Sequence, residues 1–263
     1  MYKLLVTDVD GTLLDDQSRL PELNKKAVRD CLKNGINVIL ATGKSINAVD
    51  SLIRMFGLKF PQITLNGGVI LNSGNEIIKS TVMDVDTYLQ LIGAIEGYGA
   101  TPIAALVDGR VVYRKYHPNM KHVLNSGVKL TRVDDLKNDY FTNNTVSVHV
   151  AIKEDHPCDR HLRDMFSDRL FIVRSGEYFF DFLNKNVNKG NALKEIMKMF
   201  KLKKEEVAVI GDSYNDLSMF EIAGLRIAVK NSYPDVLKKA DIVTEENYNC
   251  GFAKAIYKHI LKN

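Results

Sequence analysis

The stretch Lys3-Leu4-Leu5-Val6-Thr7-Asp8-Val9-Asp10-Gly11-Thr12-Leu13 decides the fold. Its apolar opening, halted by acids and a glycine, is the mark of a short buried strand. After Pro21 the period changes. Leu23, Ala27, Val28, Cys31 and Leu32 recur at helical spacing and Asn34-Gly35 closes the element, which predicts a helix over Glu22–Lys33. Ile36–Leu40 reads as a second strand, Ser45–Phe56 as a helix that starts just after Thr42-Gly43, and Gln62–Leu65 as a third strand ending at Asn66-Gly67-Gly68. Strand and helix alternating at this interval mean parallel βαβ units.

The C-terminal part follows the same grammar. Helices are expected over Gly190–Phe200, Leu217–Ile222, Pro234–Lys238 and Phe252–Leu261, with strands at Val207–Ile210, Arg226–Val229 and Ile242–Val243. Between the two ends the pattern differs. A helix over Val85–Tyr98 is followed by paired strands near Pro102–Val107 and Arg110–Arg114, joined at Asp108-Gly109, then a strand at Val146–Ile152, a helix at Arg160–Phe166 and strands at Leu170–Val173 and Tyr178–Phe182. The expected fold is therefore α/β: a doubly wound, Rossmann-like parallel sheet built from residues 1–82 and 184–263, with an α+β domain inserted at 83–183.

Composition is consistent with this. The 263 residues suit one large domain or two unequal ones, and 45% hydrophobic with 26% charged residues excludes a disordered, collagen-like or coiled-coil chain. A net charge of +4, carried by scattered Lys and Arg, argues for small anions and against nucleic acid. Cys31, Cys158 and Cys250 form neither a disulfide framework nor a zinc site, which suits a reducing cytoplasm. The opening Met1-Tyr2-Lys3 does not resemble a secretory signal, and no run of about 20 apolar residues suggests a membrane span.

In an open α/β sheet, ligands lie beyond the carboxyl ends of the strands. Asp8 and Asp10 stand there after the first strand, with Gly11 allowing a tight turn. A second acidic group, Asp212 and Asp216, follows the strand at Val207–Ile210 within Gly211-Asp212-Ser213-Tyr214-Asn215-Asp216. Two acid pairs at neighbouring strand ends supply hard oxygen ligands of the kind magnesium takes. Helix capping by Asp212 or Ser213 explains one acid but not both clusters. Thr42 and Gly43 present a hydroxyl and backbone N–H groups at a helix start, a natural anion site, and Lys189 offers a cation at another. Taken singly, each of these is more simply a helix start or a solvated lysine. Together they suit phosphoryl transfer, in which positioning and charge neutralisation carry the chemistry. Gly43-Lys44-Ser45 imitates the tail of a Walker A loop, but residue 38, where the first glycine would fall, is Val38 inside a strand.

These residues resemble the haloacid dehalogenase superfamily, and within it the Cof-type hydrolases with a large α/β cap of the C2B type. D-x-D-G-T-L stands at Asp8–Leu13, the Thr of the second motif at Thr42, the Lys of the third at Asn188-Lys189-Gly190, and G-D-x-x-N-D at Gly211–Asp216. The four occur in order, with a cap-sized gap between Thr42 and Lys189. The resemblance implies Asp8 as the nucleophile, Asp10 as the general acid and base, and Mg2+ held by Asp8, Asp212 and the backbone carbonyl of Asp10, with Asp216 close by. It implies that Thr42, Gly43 and Lys189 bind phosphoryl oxygens, that Asn215 positions phosphate or Lys189, and that the insert closes as a lid. Two departures stand out: Thr42-Gly43-Lys44 has Lys where Arg is common, and Asn66-Gly67-Gly68 has Gly where Ala is common.

The implied activity is a magnesium-dependent phosphomonoester phosphatase acting on small phosphorylated metabolites, sugar phosphates above all, as a cytoplasmic monomer or homodimer with no nucleic-acid or membrane partner. A sugar phosphomutase would share the nucleophile. A receiver-like signalling module would share the sheet, the acids, a Thr and a Lys, but it has no need of Asp10 as an acid or of a large insert.

Overall fold

The computed structural model of the chain describes residues 1–120, 128–152, 157–174 and 179–261. The first strand, β1 (Leu4–Thr7), is wholly buried and lies between β2 (Asn37–Leu40) and β12 (Val207–Gly211), parallel to both. β12 continues to β13 (Leu225–Ala228) and β14 (Ile242–Val243), all parallel, so the five-stranded sheet runs β14-β13-β12-β1-β2. Its two ends in sequence thus meet at the β1–β12 pair. Leu5, Val38, Leu40, Ala208 and Ile210 pack on one face with Ala27, Val28 and Cys31 of the helix Glu22–Lys33 and with Phe252 and Ile256. Leu4, Val6, Ile39, Val207 and Val209 pack on the other with Leu193 and Ile196 of the helix Lys189–Met199. Helices on both faces make this a doubly wound α/β sheet, as the alternation of strand and helix predicts.

β3 (Gln62–Thr64) touches the end of β2 through a parallel bridge between Ala41 and Ile63, then turns into a small antiparallel sheet with β4 (Val69–Leu71) and β5 (Ile77–Ser80). Beyond the helix Val85–Gly97, β6 (Pro102–Leu106), β7 (Val111–Tyr113), β8 (Leu130–Arg132), β9 (Thr145–Ala151), β10 (Leu170–Arg174) and β11 (Phe179–Asn184) form a six-stranded sheet ordered β10-β11-β9-β6-β7-β8. Most pairs are antiparallel; β7 and β8 run parallel. The predicted strand start at Tyr178 falls outside the described residues. One face of this sheet is covered by the helices Val85–Gly97 and Pro157–Phe166.

The two chain crossings between the sheets lie together. Asn184 Nδ2 donates to the carbonyl of Val82 (3.3 Å), and the Met83 N–H donates to Thr145 O at the start of β9 (2.9 Å). Among the described residues, no helix is long and apolar enough to cross a membrane.

Candidate active site

The site is assembled where β1, β2 and β12 end. After Thr7 the chain leaves the sheet: Gly11 has φ +75°, and the Leu14 N–H closes the turn on Val9 O (2.9 Å). Glycine is required at position 11 twice over. The positive φ disfavours a side chain, and a Cβ would lie 2.6 Å from Asp212 Oδ2. The turn leaves Asp8 buried and Asp10 half-exposed.

Lys189, the first residue of its helix, is fully buried and reaches between two acids. Its Nζ lies 2.6 Å from Asp8 Oδ1 and 2.7 Å from Asp216 Oδ1. Asn188 caps that helix by accepting from the Asn191 N–H (2.7 Å), which sets the direction in which Lys189 leaves it. The other oxygen of Asp216 accepts from the N–H groups of Asp212 and Ser213, both at 3.0 Å. Asp216 is therefore the acid that ties down this turn, in a reciprocal capping box with Ser213. Asp212 in turn accepts from Thr12 Oγ1 at 2.7 Å. One carboxylate oxygen from each of Asp8, Asp212 and Asp216 lies within 4.8 Å of the other two.

Burial and mutual repulsion govern the charges here. Burial pushes the Asp8 carboxyl well above the carboxylate range; Lys189 opposes this, while Asp216, Asp212 and Asp10 reinforce it. Burial, then Asp216, pushes Asp212 up to about 7. Burial alone would favour a neutral Lys189 amine, but Asp216 and Asp8 outweigh it and keep the ammonium charged. One ammonium cannot balance three carboxylates, so the cluster has an unmet demand for positive charge. A set made only of carboxylate oxygens fits a hard divalent cation such as Mg2+.

The second wall is built by Thr42, Gly43 and Lys44. Thr42 is buried, its N–H donates to Ile63 O (2.9 Å) and its hydroxyl accepts from the Lys44 N–H (3.1 Å). Lys44 Nζ pairs with Asp10 Oδ1 at 2.6 Å, so the lysine that replaces the common arginine meets the aspartate expected to act as acid and base. The carboxylate of Asp10 thus stands with Lys44, apart from the three-acid cluster. Asn215 donates through Nδ2 to Asn66 Oδ1 (2.9 Å). A Cβ on Gly43 would lie 3.1 Å from Asn66 Oδ1, so Gly43, Asn66 and Asn215 stack edge to edge. Asn66 Nδ2 and Asn215 Oδ1 are buried without a hydrogen-bond partner, a donor and an acceptor held ready for a ligand.

All the residues named from sequence thus gather at one sheet edge, in two groups: Asp8, Asp212, Asp216 and Lys189 on one side, Asp10, Thr42, Gly43 and Asn215 with Lys44 and Asn66 on the other. Thr12 and Asn66 were not singled out from sequence. Their signals were present, a hydroxyl inside the Asp-Gly-Thr turn and an Asn-Gly-Gly turn in which Asn66 takes φ +55°.

Comparison with known proteins agrees with this geometry. The sequence profile of the haloacid dehalogenase-like hydrolases matches residues 5–256. A protein of Streptococcus pyogenes serotype M6 is 30% identical over 271 residues, covering 98% of both chains. The 5-amino-6-(5-phospho-D-ribitylamino)uracil phosphatase YcsE of Bacillus subtilis is 25% identical over 261 residues, covering 98% of this chain and 96% of its own. The crystal structure of a haloacid dehalogenase-like hydrolase from Bacteroides thetaiotaomicron shares the fold, with a TM-score of 0.87 at 24% identity over 97% of this chain and 98% of that one. The chain belongs to the haloacid dehalogenase-like hydrolases, in their Cof-type branch, and is a phosphatase.

Proposed function

We propose that the enzyme is a magnesium-dependent phosphomonoesterase of small phosphorylated metabolites, sugar phosphates foremost, and that it works through a phosphoaspartate on Asp8. The observation that carries this reading is the Asp8–Lys189–Asp216 arrangement, with Asp212 completing a compact carboxylate cluster. One oxygen of Asp8 is held by Lys189, which leaves the other to attack phosphorus. The P–O bond to the leaving group breaks as the Asp8–P bond forms, and Asp10, the half-exposed acid of the turn, gives its proton to the departing alkoxide. Asp10 then takes a proton from water, whose oxygen attacks phosphorus and returns Asp8 with inorganic phosphate. Thr42, the Gly43 N–H, Lys189 and the unpartnered Nδ2 of Asn66 donate to phosphoryl oxygens, and Asn215, which donates to Asn66 Oδ1, positions that amide for the phosphate.

Asp8, Asp212 and Asp216, with the backbone carbonyl of Asp10, are the residues that would hold Mg2+. Magnesium there supplies charge neutralisation for the cluster and for the phosphoryl group. Residues 83–183 serve as the lid, excluding water and contacting the leaving group. The sugar-phosphate preference follows the family, and YcsE shows that a relative of similar length acts on a phosphorylated ribityl compound.

The test is phosphate release from phosphorylated sugars, nucleotides and glycolytic acids with Mg2+ or EDTA, beside Asp8→Asn. Magnesium-dependent release that is lost in the variant is the expected result. Transfer of phosphate to a second sugar without net release would identify a mutase instead. A stable phospho-Asp8 without turnover would point to a signalling module.

A further inference from the structure

The six-stranded sheet has two unlike faces. Val148 and Val150 of β9 and Phe180 and Phe182 of β11 point into the helix-covered core with Tyr88, Leu91, Leu162 and Phe166. Strand alternation therefore puts Ser147, His149 and Asp181 on the opposite face, along with Ile103, Ala105 and Leu183. That face is turned toward the catalytic sheet. Ile103 and Ala105 cluster with Leu65 and Val69, which flank Asn66, and Leu183 clusters with Val187, two residues before Lys189. At the sides, Asn47 Nδ2 donates to Gly109 O (3.1 Å) beside the Thr42–Lys44 wall, and β10 approaches the turn Tyr214–Asp216.

On this mostly apolar face three polar side chains form a chain of their own. His149 and Asp181 are direct cross-strand partners, with Nδ1 2.7 Å from Asp181 Oδ1, and Nε2 lies 3.0 Å from Ser147 Oγ. Ser147 and Asp181 are 1% and 2% exposed, whereas the His149 side chain keeps 18%. The imidazole is thus the most accessible member of the three. Burying a carboxylate in a sheet face is costly unless it is paired, and the strand ladder itself requires none of the three. The bond order is that of a serine-hydrolase relay, but Ser147 is inaccessible. The strand β9 is also paired on both sides, with β11 and β6, leaving no run of free N–H groups to bind an oxyanion.

We infer that His149, oriented by Asp181 and Ser147, is the lid's contact to the leaving group, and that it selects phosphomonoesters whose leaving group carries a hydrogen-bonding group beyond the ester oxygen. Asp181 accepts from Nδ1–H and so presents Nε2 toward the cleft, where it exchanges Ser147 for the substrate. A site built to hydrogen-bond a substrate group discriminates against analogues that lack it. The inference rests on the phosphatase reading and deepens it.

The experiment measures kcat and KM of the full chain with Mg2+ on p-nitrophenyl phosphate and on a panel comprising sugar phosphates, glycerol 3-phosphate and phosphoserine. Wild type should prefer at least one panel member to p-nitrophenyl phosphate. In His149→Ala the ratio of kcat/KM for that member over p-nitrophenyl phosphate should fall about 10- to 100-fold, carried mainly by KM, as for a lost buried hydrogen bond. Asp181→Asn, which acts through His149, should lower the same ratio in KM by a smaller factor, and His149→Gln should recover part of the loss by restoring a hydrogen-bonding side chain. Equal losses on both substrates, an unchanged ratio, or no wild-type preference would each overturn the inference. If His149→Ala does not fold, His149→Gln and Asp181→Asn decide it by the same ratio. The phosphatase reading stands or falls separately, on whether p-nitrophenyl phosphate turnover is lost in Asp8→Asn.

Discussion

Lys189 is fully buried yet charged, because Asp8 and Asp216 lie within 2.7 Å of its ammonium. Truncating it leaves two buried carboxylates without their partner, which is costly in stability as well as in rate. Lys189→Met should lower kcat by about 10² to 10³ and shift the thermal midpoint down, measured by phosphate release and by melting in parallel. The acids make an opposite, pH-dependent demand. Asp212 is raised to about 7, chiefly by burial and then by Asp216, against an unfolded value near 3.8. A raised carboxyl means the folded state holds a proton that the unfolded state has released. The stability it confers is whole below about pH 4 and is lost as pH rises toward 7. Metal-free protein in EDTA should therefore melt lower at pH 8 than at pH 5, Asp212→Asn should flatten that difference, and added Mg2+ at pH 8 should raise the midpoint.

At the scale of elements, close approach of backbones decides which substitutions are tolerated. Gly190, in the first turn of the Lys189 helix, is packed on the turn beginning at Leu217: a Cβ would stand 2.2 Å from Ser218 O, a backbone atom that cannot rotate aside. Gly190→Ala should cost about 1–3 kcal/mol in chemical denaturation and lower kcat by displacing Lys189. Gly93, exposed within the helix Val85–Gly97, has nothing within 4 Å of a Cβ, so Gly93→Ala should stabilise by about 0.4–1 kcal/mol in the same assay. The elements around the site were legible because their signals are local. β1 is an apolar run stopped by acids, and the helix Glu22–Lys33 has both its period and its closing Asn-Gly. The elements that sequence did not reveal lack such signals. Val69–Leu71 is three residues long, and Ile77–Ser80 is exposed throughout with two adjacent isoleucines in place of alternation. Asp139–Asn144, made of poor helix formers, depends on the cap in which the Phe141 N–H donates to Asn138 Oδ1 (3.1 Å). The pairings of Asn66 with Asn215 and of Thr12 with Asp212 join residues 149 and 200 positions apart, and no local pattern encodes them.

At the scale of the whole molecule, the catalytic sheet and the inserted sheet meet at the segment following Asn66. The replacement of the common Ala by Gly68 has a physical reason here: a Cβ at 68 would lie 2.2 Å from Val146 Cγ1 of β9. Gly68→Ala should therefore force the two bodies apart or push Val146 off its rotamer, at a cost of about 1–3 kcal/mol. Val146 is fully buried in the cluster that joins Leu65, Val69 and Leu71 to Ile103 and Ala105, so Val146→Ala should also destabilise, by leaving a cavity. The added methyl of one variant occupies space vacated by the other. In a double-mutant cycle by denaturant titration, Gly68→Ala with Val146→Ala should then cost less than the sum of the single changes, by about 0.5–3 kcal/mol. Additive costs would mean that the contact does not couple the two bodies. Coupling would make position 68 a place where the fit of the inserted sheet to the catalytic sheet is set by one methyl group, and the pair should then shift KM for bulky leaving groups more than for p-nitrophenyl phosphate.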